Sequence, residues 1–383
     1  MKHTVMFIFI IVVTLIYGAV SWYVFSRGVR ALEGTVYLRI FKWSFWLIAA
    51  TFIIGQVLER GNPGLFARVI THIGSVWLAF FFYLLLFVVI VDIFRIFQHF
   101  FNIFPASLTS GLLSGNMLFV YALSFAFMVT VGGYINARIP KIKEIDITID
   151  KKQGENRKLK IVLATDVHLG VILGNRRAEK LVEQINQQNA DIVLFGGDLV
   201  DHNPIPVVKN NIGGHFETIK SRFGVFAITG NHEFIGNADV SADYFLKHGV
   251  KYLRDTIITI ENILQIAGRE DKEKLRFAGL ERKPLEDLQK DRDEKLPLIL
   301  LDHQPVEYAQ VENNGIGLML SGHTHKGQLW PFGFFTNLLY ENHYGLIKKG
   351  STWFYTSSGY GTWGPPVRTS NRPELVVINL TLE

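Results

Sequence analysis

The chain has 383 residues, of which 49% are hydrophobic and 19% charged, and it contains no cysteine. That length allows a domain of about 200 to 250 residues plus a second region and excludes a mini-protein; the missing cysteine excludes a disulfide scaffold, a cysteine nucleophile and thiolate metal sites. The +5 net charge is unevenly spread: residues 1–140 hold twelve charged side chains, nine of them basic, whereas the sixty-one in residues 141–383 nearly cancel. The basic excess therefore flanks apolar segments and forms no basic face for nucleic acid.

Thr4–Phe25 carries no charge over twenty-two residues. At about 1.5 Å per residue it can cross a hydrocarbon layer of about 30 Å, and it is too long for a secretory signal core. A second candidate, Trp43–Leu58, reaches full length if Arg39 and Lys42 extend toward one interface. The third, Val69–Val91, is marked at its ends by Arg68 and Asp92. Pro105 and the Ser107–Gly115 cluster predict an interfacial helix and a break before a fourth span near Leu118–Tyr134. Four spans is the reading, with three plus a re-entrant piece as its alternative, in an integral protein of the cell (inner) membrane. Lys2, Arg60, Arg68, Arg138, Lys141 and Lys143 on the side of the termini oppose Arg27, Arg30, Arg39, Lys42 and Arg95. Six against five is too even to fix orientation; a cytoplasmic soluble domain is the expectation adopted. His72 and Asn116, in or beside apolar runs, suit a helix–helix hydrogen bond or an interfacial position.

After Ile139–Pro140 the composition changes, and a transmembrane region at 1–140 gives way to a soluble domain at 141–383. Strands are predicted at Ile145–Ile149, Ile161–Ala164, Ile192–Phe195 and Val225–Thr229, with helices at Arg176–Gln188 and His215–Ser221. Further strands are expected at Val250–Leu253, Thr256–Ile260, Ile263–Ala267, Leu275–Ala278, Leu296–Leu301, Gly317–Leu320, Thr352–Thr356 and Glu374–Leu382, with Arg282–Lys295 a solvated helix or loop. This rhythm predicts an α/β domain of two facing mixed sheets flanked by helices.

Five of these apolar runs are followed at once by acidic, amide or imidazole groups: Asp166-Val-His168, Gly197-Asp198-Leu-Val-Asp201, Gly230-Asn231-His232-Glu233, Asp302-His303 and Gly322-His323-Thr-His325. One histidine after a strand is usually structural, but the recurrence points to a metal centre at the carboxyl ends of strands. Histidine and carboxylate donors suit Mn²⁺, Fe²⁺ or Zn²⁺, and two ions about 3.5 to 4 Å apart need a carboxylate between them.

In this order the five blocks resemble the calcineurin-like metallophosphoesterase family, whose pattern is D-x-H, G-D-x-x-D, G-N-H-E/D, a later histidine and G-H-x-H. Ser357-Ser-Gly-Tyr-Gly361 and Pro366-Val-Arg368 further resemble a membrane-associated branch with phosphodiesterases of lipid and cell-envelope metabolism. The departure is Lys326, placed where that branch commonly has glycine. The resemblance implies two divalent ions, Mn²⁺ first with Zn²⁺ or iron as alternatives. Asp166, His168, Asp198 and His325 would hold one, and Asp198, Asn231, His303 and His323 the other. Catalysis would rest on Asp198, Asn231 and His232, the last orienting or protonating the leaving oxygen, while Asp201 and Glu233 position ligand histidines or loop backbone. The implied reaction is direct hydrolysis of a phosphoester or diphosphate by metal-activated water.

Trp330, Phe332, Phe334 and Phe335 follow the last metal block, and so much apolar surface on a loop suits either packing on the domain core or contact with the bilayer or an acyl chain. Lys326 and Arg368 are candidate phosphate contacts. The expected partners are the bilayer and a phosphorylated lipid, such as a diacylated UDP-sugar, a polyprenyl diphosphate or a phospholipid. The alternatives are a small soluble phosphodiester and a non-enzymatic, membrane-tethered binding role.

Overall fold

A computed structural model describes residues 2–60, 64–150 and 156–383. The chain divides into two compact units, Met1–Tyr134 and Ile135–Glu383.

The first unit is helical: α1 (Lys2–Ala31), α2 (Leu38–Glu59), α3 (Leu65–Phe101), the short α4 (Ala106–Ser110) and α5 (Gly115–Asn136), whose last residues enter the second unit. Among the described residues four helices, all but α4, are long and apolar enough to cross a membrane, which makes this an integral membrane protein. The third helix does not end at Asp92 as its sequence suggests but runs on to Phe101. Asp92 is accommodated inside it because the Tyr23 hydroxyl donates to the carboxylate at 2.6 Å and Arg27 pairs with it at 2.5 Å. Asn102 in the left-handed region then ends the helix. His72 and the Tyr134 hydroxyl share a hydrogen bond of 3.1 Å, tying α3 to α5.

The second unit holds two six-stranded sheets. The first has the order β1-β12-β2-β3-β4-β5, from β1 (Lys141–Ile149), β2 (Arg157–Ala164), β3 (Ile192–Phe195), β4 (Val225–Ala227), β5 (Val250–Tyr252) and β12 (Glu374–Leu382). The second has the order β10-β11-β9-β8-β7-β6, from β6 (Thr256–Ile260), β7 (Leu264–Gly268), β8 (Leu298–Leu301), β9 (Leu318–Ser321), β10 (Gly345–Lys349) and β11 (Thr352–Thr356). Strands β2 to β5 are parallel to one another, as are β7, β8, β9 and β11, whereas β12 against β2, β6 against β7 and β10 against β11 are antiparallel.

Period-two alternation sorts the side chains. Ile161 and Leu163 of β2 join Ile266, Ile299, Leu301, Leu318 and Leu320 in a core between the sheets. Val162 and Ala164, their alternates, face outward and pack under Leu181 and Ile185 of α6 (Asn175–Asn186) and under Phe216 and Phe245. Leu285, Leu288, Tyr308 and Val311 cover the outer face of the second sheet. The arrangement is helix, sheet, sheet, helix, and such burial stabilises by about 25 cal/mol per Å² of apolar surface.

Two local readings of the sequence are overturned here. Leu275–Ala278 is not a strand but part of one helical turn, Lys274–Ala278, because Gly279 takes φ 73 and its N–H bonds back to the Leu275 carbonyl. The His215–Ser221 helix is instead a 3₁₀ segment over Ile212–Thr218.

Candidate metal centre

Every candidate ligand follows a strand end. Asp166 and His168 follow β2, Asp198 follows β3, Asn231 and His232 open the helical turn Asn231–Ile235 after β4, His303 follows β8, and His323 and His325 follow β9. Sheet one thus supplies five of these groups and sheet two supplies three, and the parallel strands deliver them to one edge.

The backbone there is forced. Asp166, His168, Asp198, His323 and His325 all have positive φ, between 47° and 70°. For residues with a Cβ this region is sparsely populated, costing about 1 to 2 kcal/mol each, and such positions gather at functional sites. Glycine is needed beside them for room: a Cβ on Gly230 would collide with the Asp198 carboxylate, and one on Gly322 with that of Asp166.

Two groups of donors result. In the first, Nε2 of His168 and Nε2 of His325 are 3.0 Å apart, and Asp166 Oδ1 is 3.4 Å from His325 Nε2. In the second, Asp198 Oδ2 is 3.2 Å from His303 Nε2, and Asn231 Oδ1 is 2.9 Å from His323 Nδ1. Asp198 Oδ2 is also 3.9 Å from His168 Nε2, so this carboxylate stands between the groups. Asp166, His168 and His325 form one potential metal cluster, and Asp198, His303 and His323 another.

The donor chemistry fits cations. His303 Nδ1 is 2.8 Å from the Gly196 carbonyl, an acceptor only, so that nitrogen carries the proton. Its buried Nε2 has no hydrogen-bond partner and faces the Asp198 carboxylate, which outweighs burial and holds the ring well above the usual imidazole range; a metal ion between them would take the place of that second proton. Burial pushes His323 down to about 3, with the His303 charge adding to the effect. His325 is likewise held well below the usual imidazole range by burial, then by His168 and Arg368. Both rings are therefore unprotonated at neutral pH, the state a metal ligand requires. Burial alone would raise Asp198, but His303, His232 and His168 outweigh it and hold the carboxyl well below its ordinary range.

Around the donors lie fixed partners. Glu233 accepts from the backbone N–H groups of Asp198, Val200 and Gly230 at 3.0, 2.9 and 2.7 Å, cross-linking two metal loops. Asp201 Oδ1 is 2.7 Å from His232 Nδ1 and 3.8 Å from His168 Nδ1. Burial lowers His232, but Asp198, Asp201 and Glu233 prevail and push it up to about 9. Its ring also meets that of His168 edge-on at 4.6 Å.

Arg368 corrects an expectation. Fully buried, it is closed to a substrate phosphate: its guanidinium donates to the carbonyls of Ser358 and Gly361 and to Asn371 Oδ1, and its Nη2 packs 3.0 Å from His325 Nδ1. It fixes a ligand from behind. Asn371, which the sequence reading did not single out, adds a 2.7 Å bond to the His325 carbonyl. Asp302 is buried between Arg269 and Arg282 at 3.0 Å from each.

Lys326 has φ 50 and sets its ammonium 4.1 Å over the Tyr344 ring, whose hydroxyl also meets Lys141 and Lys143 at 3.3 and 3.2 Å. Phe332, Phe334 and Phe335 lie on the helix Phe332–Leu339, none of whose residues is buried; Leu338 and Leu339 are 82% and 77% exposed. Packing on the domain core is thereby ruled out for this helix. Trp330 is half-exposed beside it. Trp363, also missed in the sequence, is 59% exposed with its ring 6.3 Å from that of His232. Its setting, Gly361-Thr-Trp363-Gly364, is a glycine-flanked aromatic that offered the only signal.

Residues 159–327 match the family of calcineurin-like phosphoesterases. An uncharacterized metallophosphoesterase of Helicobacter pylori is 36% identical over 254 residues, 65% of this chain and 66% of that protein. A transmembrane protein with metallophosphoesterase domain from Danio rerio is 31% identical over 275 residues, 68% of this chain and 62% of that one. An uncharacterized metallophosphoesterase of Aquifex aeolicus is 30% identical over 257 residues, 66% of this chain and 97% of the relative. The chain belongs to the calcineurin-like phosphoesterase family, with the phosphoesterase domain joined to a membrane-spanning region.

Proposed function

We propose that the protein is a membrane-anchored, two-metal phosphohydrolase acting on a phosphoester or diphosphate bond, in a lipid-linked substrate. The observation that carries the hydrolytic reading is the placement of Asp198 between two groups of buried donors. Asp166, His168, Asp198 and His325 would hold one ion and Asp198, Asn231, His303 and His323 the other, with Mn²⁺ the proposed occupant. When bound, such a pair supplies Lewis acidity to the phosphoryl oxygens and activates water. The chain's own part is positional. His232, kept protonated by Asp198 and Asp201, presents an N–H to the leaving oxygen and gives it a proton as the bond to phosphorus breaks. Glu233 holds the Asp198 loop while charge develops.

The lipid assignment rests on the apolar helix Phe332–Leu339, a few residues after His325, and on exposed Trp330 and Trp363. A diacylated UDP-sugar, a polyprenyl diphosphate and a phospholipid all pair a phosphate with acyl or prenyl chains, which such a surface would suit. Lys326 with Lys141 and Lys143 would meet the anionic portion. Such a substrate belongs to the lipid and cell-envelope branch of the family, and a cytoplasmic site is the orientation proposed.

The test is to incubate detergent-solubilised full-length protein and Mn²⁺ with total lipid from its own source, beside an Asp198→Asn control. Loss of one phosphorylated lipid with wild type alone, and a product lighter by phosphate or by a nucleoside monophosphate, is the expected result. Unchanged lipids, with cleavage of bis(p-nitrophenyl) phosphate by wild type alone, would overturn the lipid assignment in favour of soluble phosphodiesters. No cleavage of either would leave only a binding role.

A further inference from the structure

A cavity of the phosphoesterase unit, about 360 Å³, lies where the chain leaves α5 and where α6 begins. Arg138, Arg176, Arg177 and Lys180 line it, and no lining residue is acidic. Arg176, Arg177 and Lys180 bring their positive charges to one cavity wall, an arrangement that favours an anion. The N-terminus of α6, twelve residues long, points the same way: Gly174 provides no side-chain cap, and the first turn has no acidic residue to meet its free N–H groups.

Among the described residues, two buried polar atoms in the lining are without hydrogen-bond partners. Thr362, 5% exposed, has an Oγ1 that makes no hydrogen bond, and Arg177, 9% exposed, has an Nε that makes none. The other arm of Arg177 donates to the Tyr360 carbonyl, and the guanidinium lies 4.2 Å over the Tyr360 ring, so the side chain is fixed. A guanidinium buried without a carboxylate is costly, and an oxyanion accepting from its fork removes that cost. Lys180 is anchored as well, donating to the Arg138 carbonyl at 3.0 Å.

From this we propose that the cavity is a binding site for the phosphate of an anionic phospholipid headgroup, held by Arg138, Arg176, Arg177, Lys180, Thr362 and the α6 N-terminus. A tetrahedral phosphate offers acceptors to donors arriving from several sides, which a flat carboxylate does not. The lipid source follows from two further features. Arg138 stands two residues beyond the end of a membrane-spanning helix, at the depth of headgroups, and Ile172 and Leu173 give the cavity an apolar wall for glycerol and the first acyl carbons. This site is separate from the metal ligands and does not depend on hydrolysis. The lipid held here is a resident, not the molecule cleaved.

The experiment is native mass spectrometry of the full-length protein released from nanodiscs of phosphatidylcholine with an equal part of phosphatidylglycerol. Wild type should retain one phosphatidylglycerol in preference to phosphatidylcholine. Arg176→Gln with Lys180→Gln, on positions that are not buried, should cut that preference about tenfold or more, and the nearly isosteric Thr362→Val by a smaller factor. Both variants should keep the metal content of wild type, measured by elemental analysis. Equal retention of the two lipids, or variants retaining phosphatidylglycerol as wild type does, would overturn the proposal. So would inorganic phosphate at millimolar concentration displacing the lipid completely, since the site would then be one for free anions.

Discussion

The two halves of the metal centre are held to different degrees. Asp166, His168 and His325 are all buried, and His325 is gripped from behind by Arg368 and Asn371. In the other half His303 is fully buried, yet Asn231 and His323 remain partly exposed, and the Asn231 side chain meets its fellow donor His323. A fully enclosed half suits an ion that stays; a half with exposed donors suits one whose coordination opens to substrate. Asp198 belongs to both, so it is where the distinction can be broken.

Asp198→Asn should have the largest effect. Removing the shared charge should cost both ions, read by elemental analysis, and lower phosphodiester hydrolysis on the order of a thousandfold. Retention of two ions per chain would end the bridging assignment. Next, Arg368→Met and Asn231→Ala should separate the halves. The first should weaken one ion about 10- to 100-fold in chelator competition, as losses behind a ligand do. The second should weaken the other; equal loss of both ions in either variant would erase the distinction.

A smaller effect concerns pH. His232 keeps its proton up to about 9, so its favourable interaction with Asp198 and Asp201 is fully present below the ordinary imidazole pKa of about 6.5 and is lost as pH rises through about 9. Turnover should accordingly fall on the alkaline side, and Asp201→Asn should move that limb to lower pH. An alkaline limb unmoved by this substitution would remove His232 as the proton donor. Smallest in stability is the exposed helix: Phe334→Ser with Leu338→Ser should change unfolding free energy by about 0.5 kcal/mol or less while lowering lipid turnover several-fold. Equal losses on lipid and on a small phosphodiester would show that the helix does not contact lipid.

Much of this was legible because the residues concerned announce themselves locally. Ile192–Phe195, Thr256–Ile260, Thr352–Thr356 and Glu374–Leu382 are apolar or β-branched runs with clear ends, and each is a strand with those bounds. The donors stand directly after such runs. What was hidden depends on partners distant in sequence. Nothing around Arg368 indicates that its fork closes on the carbonyls of Ser358 and Gly361 and on His325, forty-three positions away. Strand β10 reads Gly-Leu-Ile-Lys-Lys, too charged to signal a strand until β11 pairs with it. The helix Phe332–Leu339 is apolar along most of its length and, by its composition alone, fits a core segment equally well.

The last turn of α5 has a consequence for how the enzyme can be taken apart. Asn136 Nδ2 donates to the Arg368 carbonyl at 2.8 Å and to the Asn371 carbonyl at 2.7 Å, the two residues that hold His325. The end of the helix is thus a clasp on the rear wall of the metal centre. A soluble fragment cut at the change of composition, after Pro140, would discard that clasp along with the membrane. One beginning at Ile135 keeps it, and the metal affinities of the two fragments would differ although no ligand differs between them.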